Sequence, residues 1–446
     1  MKIKNFKAIL IGFAFLALSF TEVSAAENAG IQKVTAISEV FGDGEKVSTV
    51  VLEYDKTISP KSLSADDYTV TDKTITTVCT NTAPEATDAC VPGPYVIISL
   101  DTSRQPLAMD SGASNQQPPD QPSDGTQQPG GPQGGPGMGM SASLPDTSAS
   151  VTQTGEVDAL DGTVYAGSDQ VYQSTAEIHK IVDDFQQLTF TDPSNGATMA
   201  YNLYIPQNYD ASQKYPLVNF MADASATGED PLLSLTQGNG GVIWASPEEQ
   251  AKHPCFVLVP QFSVAEVNDN FETDPILDEV PAIIYALEAK YSIDINRIYT
   301  TGQSGGCMSS IALMIKYPDL FAASMLVAGQ WNPETMTSLV NDKMWILVAE
   351  GDLKAYPGMN TSLTAMEAAG AKVTRGVWDA KASDEELTQD AKTMEADGNS
   401  ILYTVFQKGS VLPEGMETAQ TEHMYTWQVA YNITAVRDWL FSQAKG

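Results

Sequence analysis

The sequence predicts an all-β segment followed by an α/β unit with a mostly parallel central sheet flanked by helices. Three observations lead there. Residues 30 to about 182 hold short runs that alternate apolar and polar residues, without a convincing long helix. From about Asp183, short and nearly continuous apolar runs alternate with helical patterns. Ser304 lies between glycines just past one of those runs, in YTTGQSGGCMSS. Alternating short strands separated by turn residues are the pattern of a β-sandwich. Unbroken apolar strands are those buried on both faces, and strands alternating with helices imply a parallel sheet with right-handed crossovers.

In chain order, Lys2, Lys4 and Lys7 precede the apolar run AILIGFAFLALSF and the more polar TEVSA. Val23 and Ala25 occupy the small-residue positions before a cleavage site, so residues 1–25 read as a signal peptide. The apolar run is shorter than the roughly 20 residues a membrane span needs, and no cysteine follows it to carry a lipid. The expected product is secreted or periplasmic, with no membrane anchor after cleavage. Residues 26–182 form the sandwich, through IQKVTAISEV, KVSTVVLEYD, DYTVTD, KTITTVCT and PYVIISLD. A Pro/Gly/Gln-rich stretch at about 103–148 interrupts it. That composition buries too little apolar surface to offset the entropy of ordering, so a disordered insertion is expected. Cys79 and Cys90 bracket a loop-like stretch, and a bridge between them would contribute roughly 3 kcal/mol by loop closure. Cys255 at the start of a strand and Cys307 at the start of a helix read as separate buried thiols, and their spacing offers no metal motif.

Residues 183–446 form the α/β unit. QQLTFTDP and MAYNLYIPQNY read as an opening antiparallel pair. YPLVNFMA, CFVLVPQF, RIYTTG, AASMLVAG, MWILVAEG and ILYTVFQKG follow as buried strands. The formal net charge of -32 repels phosphate backbones and argues against a nucleic-acid partner. It says nothing about the chemistry.

That chemistry starts at Ser304. Gly302-Gln303-Ser304-Gly305-Gly306 fits G-x-S-x-G, the strained strand-to-helix turn that presents the nucleophile in α/β hydrolases. A serine needs a base oriented by a carboxylate. The chain has three histidines. His179 falls in the sandwich and His253 at the N-terminal end of a strand, away from the edge where open α/β sheets bind ligands. His423, after the last strand and before the last helix, is the expected base. Asp352 follows the strand MWILVAEG and is the expected acid; Asp379 and, more weakly, Asp319 compete, and Glu350 lies just inside the strand. The order Ser304, Asp352, His423 is that of an α/β hydrolase. Backbone donors for an oxyanion are expected at Gly305 and near Ala224, after YPLVNFMA. No cofactor or metal is implied.

Residues 183–446 resemble secreted bacterial α/β-hydrolase esterases with an immunoglobulin-like N-terminal domain, near the polyhydroxybutyrate-depolymerase-like and feruloyl-esterase-like groups. The stretches that carry the resemblance are YNLYIPQNYD, YPLVNFMADA, VIWASPEEQAKHPCFVLVPQ, YSIDINRIYTTGQSGG, KYPDLFAASMLVAGQW, EGDLKAYPGM and HMYTW. VTAISEVFGDGEKVSTVVLEYD resembles the family's Ig-like domain. The resemblance implies Ser304 as nucleophile, Asp352 as acid and His423 as base. It departs at Ala222-Asp223, where such enzymes usually carry a histidine first, and this puts the second oxyanion donor in question.

An ester, small or polymeric, is the expected substrate: feruloyl, short-chain alkyl or polyester. Trp331 is a candidate wall for a flat acyl group, and equally a core tryptophan, with Gln303 and Gln330 as candidate cleft residues. Two other readings share the fold. One is a serine peptidase of the prolyl-oligopeptidase type, which the lack of a long propeller segment disfavours. The other is a binding protein with weakened catalysis, which an intact Ser304, Asp352 and His423 disfavours.

Overall fold

The structure, a computed structural model, describes residues 30–61, 63–87, 89–107 and 143–446. The expected signal peptide lies outside them, as do residues 108–142 of the Pro/Gly/Gln-rich stretch.

The N-terminal unit is built on a five-stranded sheet ordered Ala176–His179, Ile31–Phe41, Gly44–Ile58, Gly93–Leu100, Ile75–Asn81. Its neighbours are antiparallel except the first pair, which is parallel. A second sheet joins Tyr68–Val70, Ser150–Gln153 and Val171–Gln173. Val50, Leu52, Val96, Ile98 and Val151 fill the core between them, because alternation along each strand turns these side chains inward. Cys79 and Cys90 are disulfide-bonded, with Cα atoms 5.2 Å apart.

The C-terminal unit is a nine-stranded sheet. Its strands are β1 (Gln186–Thr191), β2 (Thr198–Tyr204), β3 (Tyr215–Met221), β4 (Phe256–Gln261), β5 (Ile293–Gln303), β6 (Ala323–Val327), β7 (Met344–Ala349), β8 (Val373–Trp378) and β9 (Ile401–Phe406), in the order β1-β2-β4-β3-β5-β6-β7-β9-β8. β2 runs antiparallel to β1 and β4, and the other pairs are parallel. β3, β4, β6, β7 and β9 are buried at every residue. Helices cover both faces, so neither side of those strands meets water. Leu217 and Met221 pack with Ile283 of α1 (Glu279–Lys290), Ile311 of α2 (Gly305–Lys316) and Leu363 of α3 (Ala355–Ala368). Val218 and Phe220 face the opposite way, toward Leu387 of α4 (Asp384–Glu395), Tyr425 of α5 (His423–Ala430) and Trp439 of α6 (Thr434–Ser442).

The two units meet at α5. The hairpin turn of the first sheet presses Gly42 so close to this helix that a Cβ there would lie 2.5 Å from the Gln428 carbonyl oxygen. Residues 103–107 belong to the stretch expected to be disordered, yet their chain is docked. Arg104 donates from Nε to Gln428 Oε1 at 3.0 Å and from Nη2 to the Val411 carbonyl at 2.6 Å. The Leu107 N–H donates to Tyr425 Oη at 2.9 Å. β8 and α4 lie where the sequence reads only as polar connection.

Candidate active site

Ser304 follows β5 directly and caps α2 with φ 52° and ψ −117°, a strained conformation for a residue with a side chain. The glycines around it make the turn possible. A Cβ on Gly302 would lie 2.3 Å from the Gly306 carbonyl oxygen, and one on Gly306 would lie 2.0 Å from that of Met221. Only hydrogen fits at either position. The turn lifts Ser304 above the C-terminal edge of the sheet, half-buried, and its N–H is held by the Val327 carbonyl of β6 at 3.0 Å.

His423 is the first residue of α5, and its Nε2 lies 2.8 Å from Ser304 Oγ. Its Nδ1 lies 2.5 Å from Oδ2 of Asp352, which is only 1% exposed. The carboxylate on Nδ1 favours a proton there and leaves Nε2 as the acceptor facing the serine. Asp352 Oδ1 accepts from the N–H groups of Lys354 at 2.9 Å and Ala355 at 2.8 Å, at the start of α3. Burial pushes this carboxyl up. The hydrogen bonds from His423, Lys354 and Ala355 outweigh it and hold the group below the usual carboxylate range. Glu422 ties the acid and base loops together: its carboxylate accepts from the Gly351 N–H at 3.2 Å and the Gly409 N–H at 2.7 Å.

Gly305 opens α2, with its N–H free for an acceptor at the positive end of the helix. A Cβ on Gly305 would lie 3.5 Å from Ala224 N, so the two residues expected to supply backbone donors lie side by side. Ala224 stands in a single 3₁₀ turn, Ala224–Ala226, capped by Asp223. Asp223 Oδ1 accepts from the Ser225 N–H at 2.8 Å, and Oδ2 accepts from Gln303 Nε2 at 2.9 Å. With its amide oriented to satisfy both ends, Gln237 donates to the Asp223 carboxylate and accepts from the Asp223 N–H. Asp223 therefore anchors the turn in place of the histidine missing at Ala222. The sequence held one sign of it, a carboxylate directly after that position.

Gln303 is corrected by this geometry. Expected to line the cleft, it is fully buried and its amide nitrogen donates to Asp223. Trp331 is 5% exposed, and its ring meets Phe271 edge-on rather than standing open. Gln330 is buried beside Met308. The competing residues lie elsewhere. His253 stacks on Phe441 and bonds Asp438; His179 pairs with Glu45 in the first sheet; Asp379 caps a turn through the Lys381 N–H. Cys255 and Cys307 are buried and form no disulfide, and desolvation pushes both thiols up, away from the reactive thiolate. No helix among the described residues is long and apolar enough to cross a membrane.

Known proteins share this architecture. Residues 33–166 match the model of the esterase Ig-like N-terminal domain. The crystal structure of a thermostable esterase superposes with a TM-score of 0.73 at 26% identity, over 93% of this chain and 100% of its own. An endo-1,4-beta-xylanase/feruloyl esterase of Xylanibacter ruminicola is 25% identical over 205 residues, 42% of this chain. Acetylxylan esterase A of Emericella nidulans is 22% identical over 183 residues, 37% of this chain. The matches span only 27% and 58% of those two curated relatives. The chain carries an esterase Ig-like domain ahead of an α/β-hydrolase fold of the esterase type.

Proposed function

We propose that this protein is an exported serine esterase that hydrolyses carboxylic esters through an acyl-enzyme. The observation that carries the reading is the continuous hydrogen-bond path from Ser304 Oγ through His423 to Asp352. Its Ser304 end adjoins the Gly305 and Ala224 backbone donors. Ser304 Oγ attacks the ester carbonyl while its proton passes to His423 Nε2. The carbonyl electron pair moves onto oxygen, where the two N–H groups stabilise it. Collapse breaks the bond to the alcohol oxygen, which leaves with the proton from His423. Water enters by the same route, releases the carboxylic acid and restores Ser304. Asp352 stays ionised throughout and holds His423 in the tautomer the first step requires.

Feruloyl esterase and acetylxylan esterase among the relatives support acyl groups from acetyl to hydroxycinnamoyl, on a small or polymeric alcohol. The lysine-flanked apolar N-terminus supports export. The test is hydrolysis of p-nitrophenyl acetate and butyrate by the mature protein and its Ser304→Ala variant. Turnover lost in a variant that melts like the wild type is the expected result. Equal turnover in both proteins would overturn the reading.

A further inference from the structure

The connection between β4 and α1 reaches three elements around Ser304 that the reaction does not account for. An antiparallel bridge between Val267 and Thr273, with the Asp274 N–H on the Glu266 carbonyl at 2.9 Å, folds residues 266–274 into a tight hairpin. Glu266 is 4% exposed and accepts from Ser309 Oγ at 2.8 Å, which roots one leg on α2. Asp269 forms an ion pair with Lys354, two residues beyond Asp352, which ties the tip to the acid loop. Phe271 sets its ring against the Trp331 indole, with centroids 5.5 Å apart and planes at 66°.

Phe271 holds φ 62°, a conformation that phenylalanine rarely adopts. Asn268 enforces it: its carbonyl accepts from the Phe271 N–H, and its Oδ1 accepts from the N–H groups of Asn270 and Glu272. Trp331 is fixed from below, since its carbonyl accepts from Ser362 Oγ of α3 at 2.8 Å. The hairpin thus spans from the nucleophile's helix to the acid's loop, across the end of β6. Two residues before Trp331, Gly329 packs so near the nucleophile that a Cβ there would lie 3.1 Å from the Ser304 carbonyl oxygen.

His423 must reach the leaving oxygen, so the alcohol lies on the side of α5. An acyl group on the side of Ser304 opposite α5 would meet the hairpin. We propose that residues 266–274 close the acyl pocket, with Phe271 as the specificity-determining residue and the Asp269–Lys354 pair as its clasp. Seated on Trp331, the phenyl ring fills the space a flat aryl acyl group would take and leaves room for a short one. Leu353, 75% exposed and next in the chain to Asp352, gives the entrance an apolar rim. The inference rests on the esterase reading and narrows its acyl class.

The experiment holds the leaving group constant. Values of kcat/KM for p-nitrophenyl acetate, butyrate and ferulate are measured for the wild type, Phe271→Gly, Phe271→Leu and Asp269→Asn. Glycine suits the positive φ and removes the ring, while leucine keeps apolar bulk and covers the case of a variant that fails to fold. The wild type is expected to favour acetate and butyrate. The ferulate-to-acetate ratio is expected to rise on the order of tenfold in Phe271→Gly, and less in the other two. Ser304-dependent acetate turnover with an unmoved ratio in the folded Phe271 variants would overturn this inference and leave the esterase reading standing. A change confined to alcohol preference, read with phenyl and ethyl acetates, would also overturn it. No turnover of any ester by the wild type would remove both.

Discussion

Replacing Glu266 with glutamine is expected to change how stability depends on pH. Glu266 is fully enclosed, and desolvation, with a smaller contribution from Asp223, pushes its carboxyl from an ordinary value of 4.5 up to about 7, against bonds from its own N–H and Ser309. The folded chain therefore holds a proton that the unfolded chain has released between those two values. Stability from this group is fully present below about pH 4.5, falls as pH rises, and levels off above about pH 7. At about 1.4 kcal/mol per pH unit, the loss comes to about 3 kcal/mol. In a chain of this size that corresponds to roughly 3 °C in melting temperature. Glutamine keeps the shape and an acceptor for Ser309 but cannot ionise. The assay is calorimetric melting of wild type and Glu266→Gln from pH 4.5 to 9, read as the difference between the two curves, so that every other titrating group cancels. The variant is expected to gain relative stability through that window and then hold it. Parallel curves would show that the carboxyl titrates alike folded and unfolded, and would refute the reasoning.

Three further outcomes follow from the site. Asp352→Asn keeps the shape but loses the charge that orients and stabilises His423, so kcat is expected to fall on the order of 10⁴-fold, measured with p-nitrophenyl acetate. Gly305→Ala places a methyl group 3.5 Å from Ala224 N, inside the gap where the oxyanion would sit, and kcat is expected to drop by about 10² with KM less affected. Asp223→Ala releases the Ala224 turn from its cap, from Gln303 and from Gln237. Activity is expected to fall by about 10- to 100-fold, with a loss of about 1–2 kcal/mol in denaturant unfolding.

Much of this was visible in the residues themselves. Three histidines and one glycine-flanked serine left few ways to assemble a base and a nucleophile. The buried strands announced themselves because both faces are covered and each reads as an unbroken apolar run. β8 was missed for the opposite reason: at the sheet edge it buries only Thr374 and Trp378. α4 was missed because its buried residues, Leu387, Ala391 and Met394, are a thin stripe on a charged helix. Gln303 was misplaced because sequence gives a residue's position on a strand but not the partner that claims its side chain. Asp223 was seen only as the neighbour of a missing histidine. The Glu266–Asp274 hairpin left no periodic signal, since its internal ties make an irregular turn and those that place it, to Ser309, Lys354 and Trp331, join residues far apart in the chain.

The bond from the Leu107 N–H to Tyr425 Oη carries one more consequence. It fixes Leu107, within the Pro/Gly/Gln-rich stretch, to a side chain two positions beyond His423. The chain leaving the sandwich is therefore fastened to the helix that begins with His423. The helix of the base is thus braced by a different part of the chain from the one that holds the serine turn, so a change at Arg104 or Leu107 can reach His423 while the nine-stranded sheet keeps its sequence.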